Sequence, residues 1–272
     1  MKTQYLYQVV ILLVLFTLYI KQVQTIATNE RIISGSQAAV NQFPWHVLLK
    51  RDEFDVLLCG GSLISNSWVL SAAHCFNNIT SVFLVFGTID LYNDDINMTS
   101  TAIFKHPHFD AETFHHDISL IQLPQALNFS NSIQAIELIT CAQAEHDFIG
   151  TPAIITGFGQ LDDEDDGLPD ILQWAPVEIV NTSSCAEVFG DDLAMDTHIC
   201  TSGYTSICDG DSGGALVWLN DYDSFVQIGI NSFVAVNRCE QNFPAVYVRL
   251  YYYMGFIQNI TGINFEEPTE IF

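Results

Sequence analysis

Short β-rich runs recur along the whole chain and constrain its fold more than any other feature. Val, Ile, Leu and Phe dominate these runs, and turns containing Gly, Pro, Asn or Asp separate them. The runs are "WHVLLK" (45–50), "SVFLVFG" (81–87), "ISLIQL" (118–123), "PAIITGFG" (152–159), "FVQIGINSF" (225–233) and "AVYVRL" (245–250). This pattern is typical of an all-β barrel or sandwich. One helix is predicted at the end of the chain, where Leu250, Tyr253, Met254 and Ile257 recur at helical spacing.

The composition is that of a globular protein with a strong negative charge. Hydrophobic residues make up 49% of the 272 positions and charged residues 15%, and the net charge is −24. This charge disfavours nucleic acid and anionic lipid as partners, because both are polyanions. The acidic run at 162–166 lies beside Gly167 and Pro169, so we interpret it as a solvated loop rather than a metal site.

The amino-terminal segment has the features of a secretory signal peptide. Lys2 precedes an apolar run at 9–20, and polar residues follow at once. The run is shorter than the about 20 residues that span a bilayer, but it suits a signal peptide. We expect a signal peptide over residues 1–25, with cleavage after Thr25 or as late as Ala27. The mature protein would then be secreted and extracellular, with no membrane segment. A signal anchor is the alternative.

Secretion gives the cysteines and the glycosylation sequons a context. Candidate glycan sites of the type Asn-X-Ser/Thr occur at Asn78, Asn97, Asn128, Asn181 and Asn259. Seven cysteines in an oxidising compartment predict three disulfides and one cysteine left over.

Three segments carry residues that together suggest nucleophilic catalysis. They contain His74 in "SAAHC", Asp117 in "HHDISLI" and Ser212 in "GDSGG". A serine hydroxyl is a weak nucleophile unless a base takes its proton during attack, and a carboxylate can hold that base in the useful tautomer. In the order His, Asp, Ser, with Cys75 directly after the histidine, these segments resemble the chymotrypsin-like (trypsin-fold) serine proteases.

The resemblance covers the chain from Ile32 to about Ile260. Other matching segments are "RIISG" (31–35), "PWHV" (44–47), "CGGSLIS" (59–65), "TGFG" (156–159) and "PAVYVRL" (244–250). The pattern "SF…CE…FPA" from Ser232 to Ala245 is most similar to arthropod digestive proteases of chymotrypsin, elastase and collagenolytic type. The resemblance implies two packed six-stranded antiparallel β-barrels at about 32–135 and about 136–248, a C-terminal helix at about 249–260 and a tail at 261–272.

By the same resemblance, these residues have roles in peptide hydrolysis. His74 is expected to act as base and then as acid, Asp117 to orient the imidazole, and Ser212 to be the nucleophile. The backbone N–H groups of Gly210 and Ser212 are expected to bind the developing oxyanion. No cofactor is implied. No metal is expected either, because Thr88 stands where some relatives need a carboxylate for calcium.

A single basic residue before two isoleucines suggests activation by proteolysis. Cleavage after Arg31 by a trypsin-like protease would remove a propeptide at 26–31 and free the α-amino group of Ile32. In the family, the new terminus pairs with the aspartate before the nucleophile, here Asp211. A buried carboxylate is costly unless it is paired, so the pairing can order the oxyanion loop. We therefore expect a zymogen with a peptidase domain over residues 32–260.

The family pattern also implies the pairs Cys59–Cys75, Cys185–Cys200 and Cys208–Cys239. A further bridge of many relatives is absent, because Ala153 and Trp218 occupy both of its positions. Cys141 is then left over. We expect it to be a free buried thiol, with a bond to another chain as the alternative.

The resemblance places a neutral residue at the base of the primary specificity pocket. Ser206 stands at the base, Val234 at one wall and Ala245 at the opposite side. A buried cation would have no partner there, so cleavage after Lys or Arg is disfavoured. Val234 narrows the entrance and favours Ala, Val or Leu, as in elastase-like members. The small Ala245 leaves room for large apolar residues, as in chymotrypsin-like members.

Three more residues are expected to contact substrate. Ser232 should hydrogen-bond near Asp117 and line the substrate backbone channel together with Phe233. Asp209, directly before the oxyanion glycine, is expected to favour basic residues near the scissile bond.

The sequence favours a secreted, monomeric digestive endopeptidase that acts on proteins or peptides and is open to protein inhibitors. Two other hypotheses stay open. One is a protease with a narrow target, such as an immune, salivary or venom protease. The other is a catalytically silent homologue that binds without cutting, although such proteins usually lose a triad residue.

His115 and His116 are expected to be surface residues.

Overall fold

The computed structural model describes residues 35–161, 167–193, 196–235, 239 and 241–264. Several predicted features lie outside these residues. They are the signal peptide, the propeptide with the expected activation residues Arg31 and Ile32, the acidic run at 162–166 and most of the tail. The described chain forms two largely antiparallel β-sheets that share one continuous hydrophobic core.

The strands, numbered in chain order, are β1 (Ser36–Gln37), β2 (His46–Lys50), β3 (Cys59–Ser65), β4 (Trp68–Ser71), β5 (Val82–Phe86), β6 (Asn97–Ser100), β7 (Ile103–Lys105), β8 (Ser119–Gln122), β9 (Glu137–Leu138), β10 (Pro152–Gly157), β11 (Gln173–Val180), β12 (His198–Gly203), β13 (Ala215–Leu219), β14 (Phe225–Phe233) and β15 (Asn242–Arg249). The α-helices are α1 (Ser183–Phe189) and α2 (Met254–Thr261), and short 3-10 helices lie at His74–Phe76, Gln143–Glu145 and Leu250–Tyr253.

The first sheet closes into a barrel through one bent segment. Its strand order is β6-β5-β2-β3-β4-β8-β7, and only Thr101 and Ala102 separate β6 from β7. The segment at 97–105 therefore pairs with β5 through its first half and with β8 through its second half. With β6 and β7 counted as one bent strand, the barrel has the six strands that the resemblance implies.

The second barrel closes by the pairing of β11 with β12. The order β11-β10-β13-β14-β15-β12 returns to β11, where Ile179 pairs with Thr201. The two-residue strands β1 and β9 add to this barrel, β1 beside β11 and β9 parallel to β14. Both barrels of the trypsin-like fold are thus present, with two short additional strands on the second.

The residue pattern of β11 explains why it forms a barrel strand. Ala175, Val177 and Ile179 are buried, whereas Pro176 and Glu178 are exposed. Because successive side chains of a strand point to opposite faces, this alternation seals one face against the core and leaves the other in water.

The C-terminal helix differs from the single helix expected at about 249–260. A 3-10 turn comes first, and the α-helix begins at Met254, which is buried together with Ile257. Gly262 ends α2 in the left-handed conformation with a φ of 77°, where glycine has no Cβ to strain. No helix in the described part of the chain is long and apolar enough to cross a membrane.

Three disulfides join the pairs that the resemblance implies: Cys59–Cys75, Cys185–Cys200 and Cys208–Cys239. Cys141 is free, but it is exposed, so the expectation of a buried thiol is wrong. The reason is local: Cys141 lies in the turn that leads into the 3-10 helix at Gln143–Glu145, outside the strands that fill the core.

Candidate active site

His74 and Asp117 meet beside the junction of the two barrels. His74 begins a 3-10 helix, and Asp117 lies two residues before β8. Nδ1 of His74 lies 2.7 Å from Oδ2 of Asp117, and the backbone N–H of His74 donates to Oδ1 at 2.8 Å. A carboxylate only accepts, so Nδ1 carries the hydrogen. In the neutral imidazole, Nε2 is then the basic nitrogen.

Asp117 is fully buried, and hydrogen-bond donors from both barrels support its charge. Ser232, in β14 of the second barrel, donates from Oγ to Oδ2 of Asp117 at 2.7 Å. Burying a carboxylate is costly unless hydrogen bonds replace those that it makes to water. Ser232 and the two donors of His74 supply them, and the contact agrees with the expected place of Ser232 near Asp117.

Glycine lets the loop that carries Ser212 approach the first barrel closely. Gly213 has a φ of 81°, and an added Cβ there would lie 2.5 Å from the carbonyl oxygen of Gly60. Gly60 donates its N–H to the carbonyl oxygen of Ser212 at 2.8 Å. A side chain at position 213 would push this loop away from β3, so the glycine after the serine has a steric cause.

Gly210, one of the two predicted oxyanion residues, has a φ of 100°. This region of backbone conformation is open mainly to glycine. An added Cβ would also lie 2.7 Å from Cδ2 of Leu57 and 3.0 Å from Cα of Gly159. Position 210 therefore requires glycine for both conformation and space.

Asp211 points into the protein, where it is 1% exposed. The backbone N–H of Gly159 donates to Oδ1 at 2.8 Å, and that of Cys208 donates to Oδ2 at 2.9 Å. An added Cβ on Gly159 would lie 2.6 Å from Cγ of Asp211, and one on Gly157 would meet the same carboxylate. The "TGFG" segment thus makes room for this side chain. Burial raises the pKa of Asp211 to about 6, although the two backbone hydrogen bonds act to lower it.

A cleft of about 610 Å³ brings several predicted residues together. Its lining includes His74, Asp209, Ser212, Ser232, Phe233 and Val234. Two predicted pocket residues, Ser206 and Ala245, do not line it. They are 1% and 0% exposed. Ser206 lies in the segment between β12 and β13, and Ala245 lies in β15.

An aromatic wall of the cleft was missed by the sequence reasoning. The ring of Phe114 lies 5.3 Å from that of His74 and 5.6 Å from that of Phe233. Phe189, the last residue of α1, lies 5.3 Å from Phe233. Phe114 and Phe189 belong to no periodic apolar pattern. The one sequence signal for them is their closeness along the chain to Asp117 and Cys185, respectively.

One group of side chains of metal-ligand type occurs among the described residues: Cys59, His74 and Cys75. The two cysteines are bonded to each other, so this group offers one imidazole rather than a metal site.

Comparison with known proteins gives this geometry a family. The protein-family model described as trypsin matches residues 32–257. The chain belongs to the trypsin family. Within this family it is similar to brachyurin of Leptuca pugilator, with 32% identity over 86% of this chain and 100% of the relative. It is also similar to collagenase of Hypoderma lineatum, with 33% identity over 86% of this chain and 89% of the relative.

Solved structures agree with the trypsin-family assignment. The structure of a protein named HL collagenase matches with a TM-score of 0.75 and 32% identity, over 85% of this chain and 99% of that one. The family and the relatives identify the protein as a serine endopeptidase with the trypsin-like fold.

Proposed function

We propose that the protein is the zymogen of a secreted serine endopeptidase that hydrolyses peptide bonds through an acyl-enzyme. The observation that carries the proposal is the hydrogen-bonded chain from Ser232 through Asp117 to His74, beside a cleft that Ser212 also lines. An imidazole held in one tautomer by a buried carboxylate is a suitable base for a serine hydroxyl.

In the proposed reaction, Ser212 attacks the carbonyl carbon of the scissile peptide bond. Its Oγ proton passes to Nε2 of His74, while the N–H groups of Gly210 and Ser212 stabilise the oxyanion. His74 then gives the proton to the leaving amine, and an ester remains on Ser212. Water attacks this ester while His74 accepts a proton from the water. His74 then returns this proton to Oγ of Ser212 as the ester C–O bond breaks, which releases the carboxylic acid product and restores the serine.

Activation by cleavage after Arg31 is part of the proposal. Asp211 is buried, and no cationic side chain of the described residues forms an ion pair with it. Because burial makes its charged form unfavourable, a nearby ammonium group would stabilise this region. The α-amino group of Ile32 would supply that charge after cleavage. Ile32→Asp should leave secretion intact and abolish activity.

A neutral primary pocket is the proposed basis of specificity. Ser206 offers a buried hydroxyl and no carboxylate, which supports selection against Lys and Arg. Val234 lines the cleft and supports small or medium apolar residues. Ala245 does not line the cleft, so a preference for large residues rests on the family resemblance and on its small side chain. Collagen belongs among the test substrates, because one similar protein is named collagenase.

The proposal also covers the setting in which the enzyme works. It is a secreted monomer, activated by a trypsin-like protease, that acts on proteins or peptides and is open to protein inhibitors. Exposure supports glycosylation, because the asparagine of every sequon is exposed: Asn78, Asn97, Asn128, Asn181 and Asn259.

The test is a peptide panel that varies only the residue before the cut, after trypsin activation and trypsin inhibition. Ser212→Ala, treated in the same way, is the control for residual trypsin. Fast cleavage after Ala, Val or Leu identifies an elastase-like enzyme, and fast cleavage after Phe or Tyr a chymotrypsin-like one. No cleavage and no alkylphosphonate labelling, with Ile32 confirmed as the new terminus, would contradict the proposal and favour the silent homologue.

A further inference from the structure

The turn directly after His74 carries one of the glycosylation sequons. Asn78, Ile79 and Thr80 form the sequence Asn-X-Thr, and the 3-10 helix that begins at His74 ends two residues before Asn78. Asn78 and Thr80 are exposed, whereas Ile79 is half-buried and packs against the core. The sequon is therefore displayed on the surface, next to the residue that we propose as the catalytic base.

Asn78 lies close to His74 in space as well as in sequence. The backbone N–H of Asn77 donates to the carbonyl oxygen of His74 at 3.3 Å. Given the lengths of backbone bonds, the Cα atom of Asn78 lies within about 9 Å of that oxygen. No residue from 75 to 80 lines the cleft of about 610 Å³ that His74 and Ser212 share. A group attached to Asn78 would therefore stand beside the cleft rather than inside it.

Two anchors fix the position of this turn. Cys75 is bonded to Cys59 of β3, so the start of the turn is tied to the first barrel. Phe76 is only 1% exposed, and its carbonyl oxygen accepts from Nζ of Lys105 at 3.4 Å. A glycan on Asn78 would therefore have a fixed root near the active site.

The side-chain amide of Asn78 is free in the way that a glycan requires. An N-linked sugar is attached to Nδ2, so the folded protein must leave this atom in solvent. Within the described part of the chain, the Asn78 side chain forms no hydrogen bond. At Asn97, by contrast, Nδ2 donates to the carbonyl oxygen of Asp94 at 2.8 Å. Asn78 also has a φ of 60°, a left-handed conformation that asparagine tolerates better than most residues.

The attachment of the glycan needs a sugar donor of the secretory pathway, a lipid-linked oligosaccharide diphosphate. Nδ2 of Asn78 forms a bond to C1 of the first sugar while the bond from C1 to the diphosphate oxygen breaks. The lipid diphosphate leaves with the bonding electron pair, and the amide nitrogen releases one proton. The attachment therefore depends on the secretion that we propose.

We propose that a glycan on Asn78 selects the substrates and inhibitors of this enzyme by size. Peptides and unfolded chains reach the cleft, whereas a folded protein is hindered because it must also cover the surface around the cleft. A protein–protein interface covers about 800 Å² on each partner, which corresponds to a disc with a radius of about 16 Å. Asn78 lies inside a disc of that size centred on His74. The inference rests on the proposed endopeptidase function and names the form of its substrates: peptides and unfolded proteins.

The experiment offers one cleavage sequence in two forms to the activated enzyme, which is secreted from a eukaryotic host. The sequence is the best one of the peptide panel, given either as a free peptide or inserted into an exposed loop of ubiquitin. Thr80→Ala removes the sequon without changing Asn78, and Thr80→Ser keeps the sequon. Asn128→Gln removes a different sequon and is the matched control.

Asn128 suits this purpose because it lies far from Ser212. Its neighbour Leu127 donates its N–H to the carbonyl oxygen of Asn66, which directly follows β3. Near the other end of β3, Gly60 donates to the carbonyl oxygen of Ser212. The strand between these two points is about 20 Å long. Asn128→Gln therefore reports general effects of losing a glycan.

The result expected for Thr80→Ala is that kcat/KM for the ubiquitin loop rises about tenfold, while kcat/KM for the free peptide stays unchanged. Such a change lies within the range by which association rates vary among variants of one interface. Thr80→Ser and Asn128→Gln should keep both wild-type values. Mass spectrometry should find the glycan on Asn78 in the wild type and in Thr80→Ser. If Thr80→Ala is not secreted, endoglycosidase treatment of the folded wild-type enzyme should give the same rise.

Three results would overturn the size selection and leave the endopeptidase proposal standing. They are an active, secreted enzyme with unmodified Asn78, unchanged cleavage of the ubiquitin loop after loss of the glycan, and an equal rise in Asn128→Gln. A different result would remove both proposals. If the wild-type enzyme cleaves neither form and alkylphosphonate does not label Ser212, the endopeptidase proposal fails and the size selection fails with it.

Discussion

Ser232 of the second barrel donates a 2.7 Å hydrogen bond to Oδ2 of Asp117, the same oxygen that lies 2.7 Å from Nδ1 of His74. The carboxylate that orients the imidazole is therefore held from both barrels. Any change in how the barrels pack is transmitted to this oxygen, which links the fold to the chemistry of the site.

Ser232→Ala should lower kcat by roughly thirtyfold, since a hydrogen bond to a charged group contributes about 2 kcal/mol. Asp117 would keep its two donors from His74, but the imidazole would be held less firmly. Ser119→Ala is a matched control, because Ser119 is buried nearby and donates to the carbonyl oxygen of Ala72 instead. Steady-state kinetics on titrated active sites, together with thermal melting, would check this. An equal loss of kcat in both variants would show that only general packing is at stake.

Much of the fold could be predicted from the sequence, because in many strands the local pattern of apolar residues agrees with their burial in the folded protein. The runs at 81–87 and 225–233 became β5 and β14, since alternating or continuous apolar residues suit half-buried and buried strands. Helix α1 was not predicted. It has seven residues and buries only Cys185, so it carries no amphipathic repeat.

The candidate site could be predicted only as far as its motifs reach. His74, Asp117 and Ser212 stand in recognisable segments, but the contacts that hold them join distant positions. Gly159 contacts Asp211 across 52 positions and His115 contacts Asp192 across 77. Such pairs are created by barrel closure, and no local periodicity encodes them.

Gly159→Ala should destabilise the protein by about 1–3 kcal/mol and impair activation. The added Cβ would lie 2.6 Å from Cγ of Asp211, which is itself buried and cannot move aside freely. Gly255→Ala is the control, because a Cβ there meets nothing within 4 Å and alanine favours the helix α2. Urea unfolding of both variants would check the difference. If Gly159→Ala were as stable as Gly255→Ala, the tight packing around Asp211 would be refuted.

The pH dependence of stability should differ between precursor and cleaved enzyme. Burial raises the pKa of Asp211 from 3.8 to about 6, so its folded form prefers the proton. In the precursor, the contribution of Asp211 to stability should be greatest below about pH 4 and should fall by about 3 kcal/mol as the pH rises to about 6. After cleavage, the ammonium group of Ile32 would lower the pKa of Asp211 and remove this loss of stability.

Urea unfolding between pH 4 and 8 would measure the difference. Ser212→Ala keeps both forms intact, and Arg31→Gln keeps the precursor uncleaved. Asp211→Asn in the precursor should remove the loss of stability that Asp211 causes as the pH rises. The same slope in precursor and cleaved enzyme would speak against the pairing of Ile32 with Asp211.

His46 should make the protein sensitive to acid. It is buried in β2, and its Nδ1 lies 3.0 Å from Oγ1 of Thr156. Burial lowers the pKa of His46 from 6.5 to about 4, so the folded protein resists its protonation. This group contributes stability that is fully present above about pH 6.5 and lost as the pH falls towards about 4. The loss amounts to about 3 kcal/mol.

His46→Gln should reduce this loss of stability at acid pH, because glutamine does not titrate but can still hydrogen-bond to Thr156. Part of the loss of stability should remain, since burial also lowers the pKa of His198 to about 4. His146→Gln is the control, because the His146 side chain is exposed. Chemical unfolding of the three proteins at pH 7, 5.5 and 4 would check the prediction. If His46→Gln lost as much stability between pH 7 and 4 as the wild type, the acid sensitivity would have to come from groups other than His46.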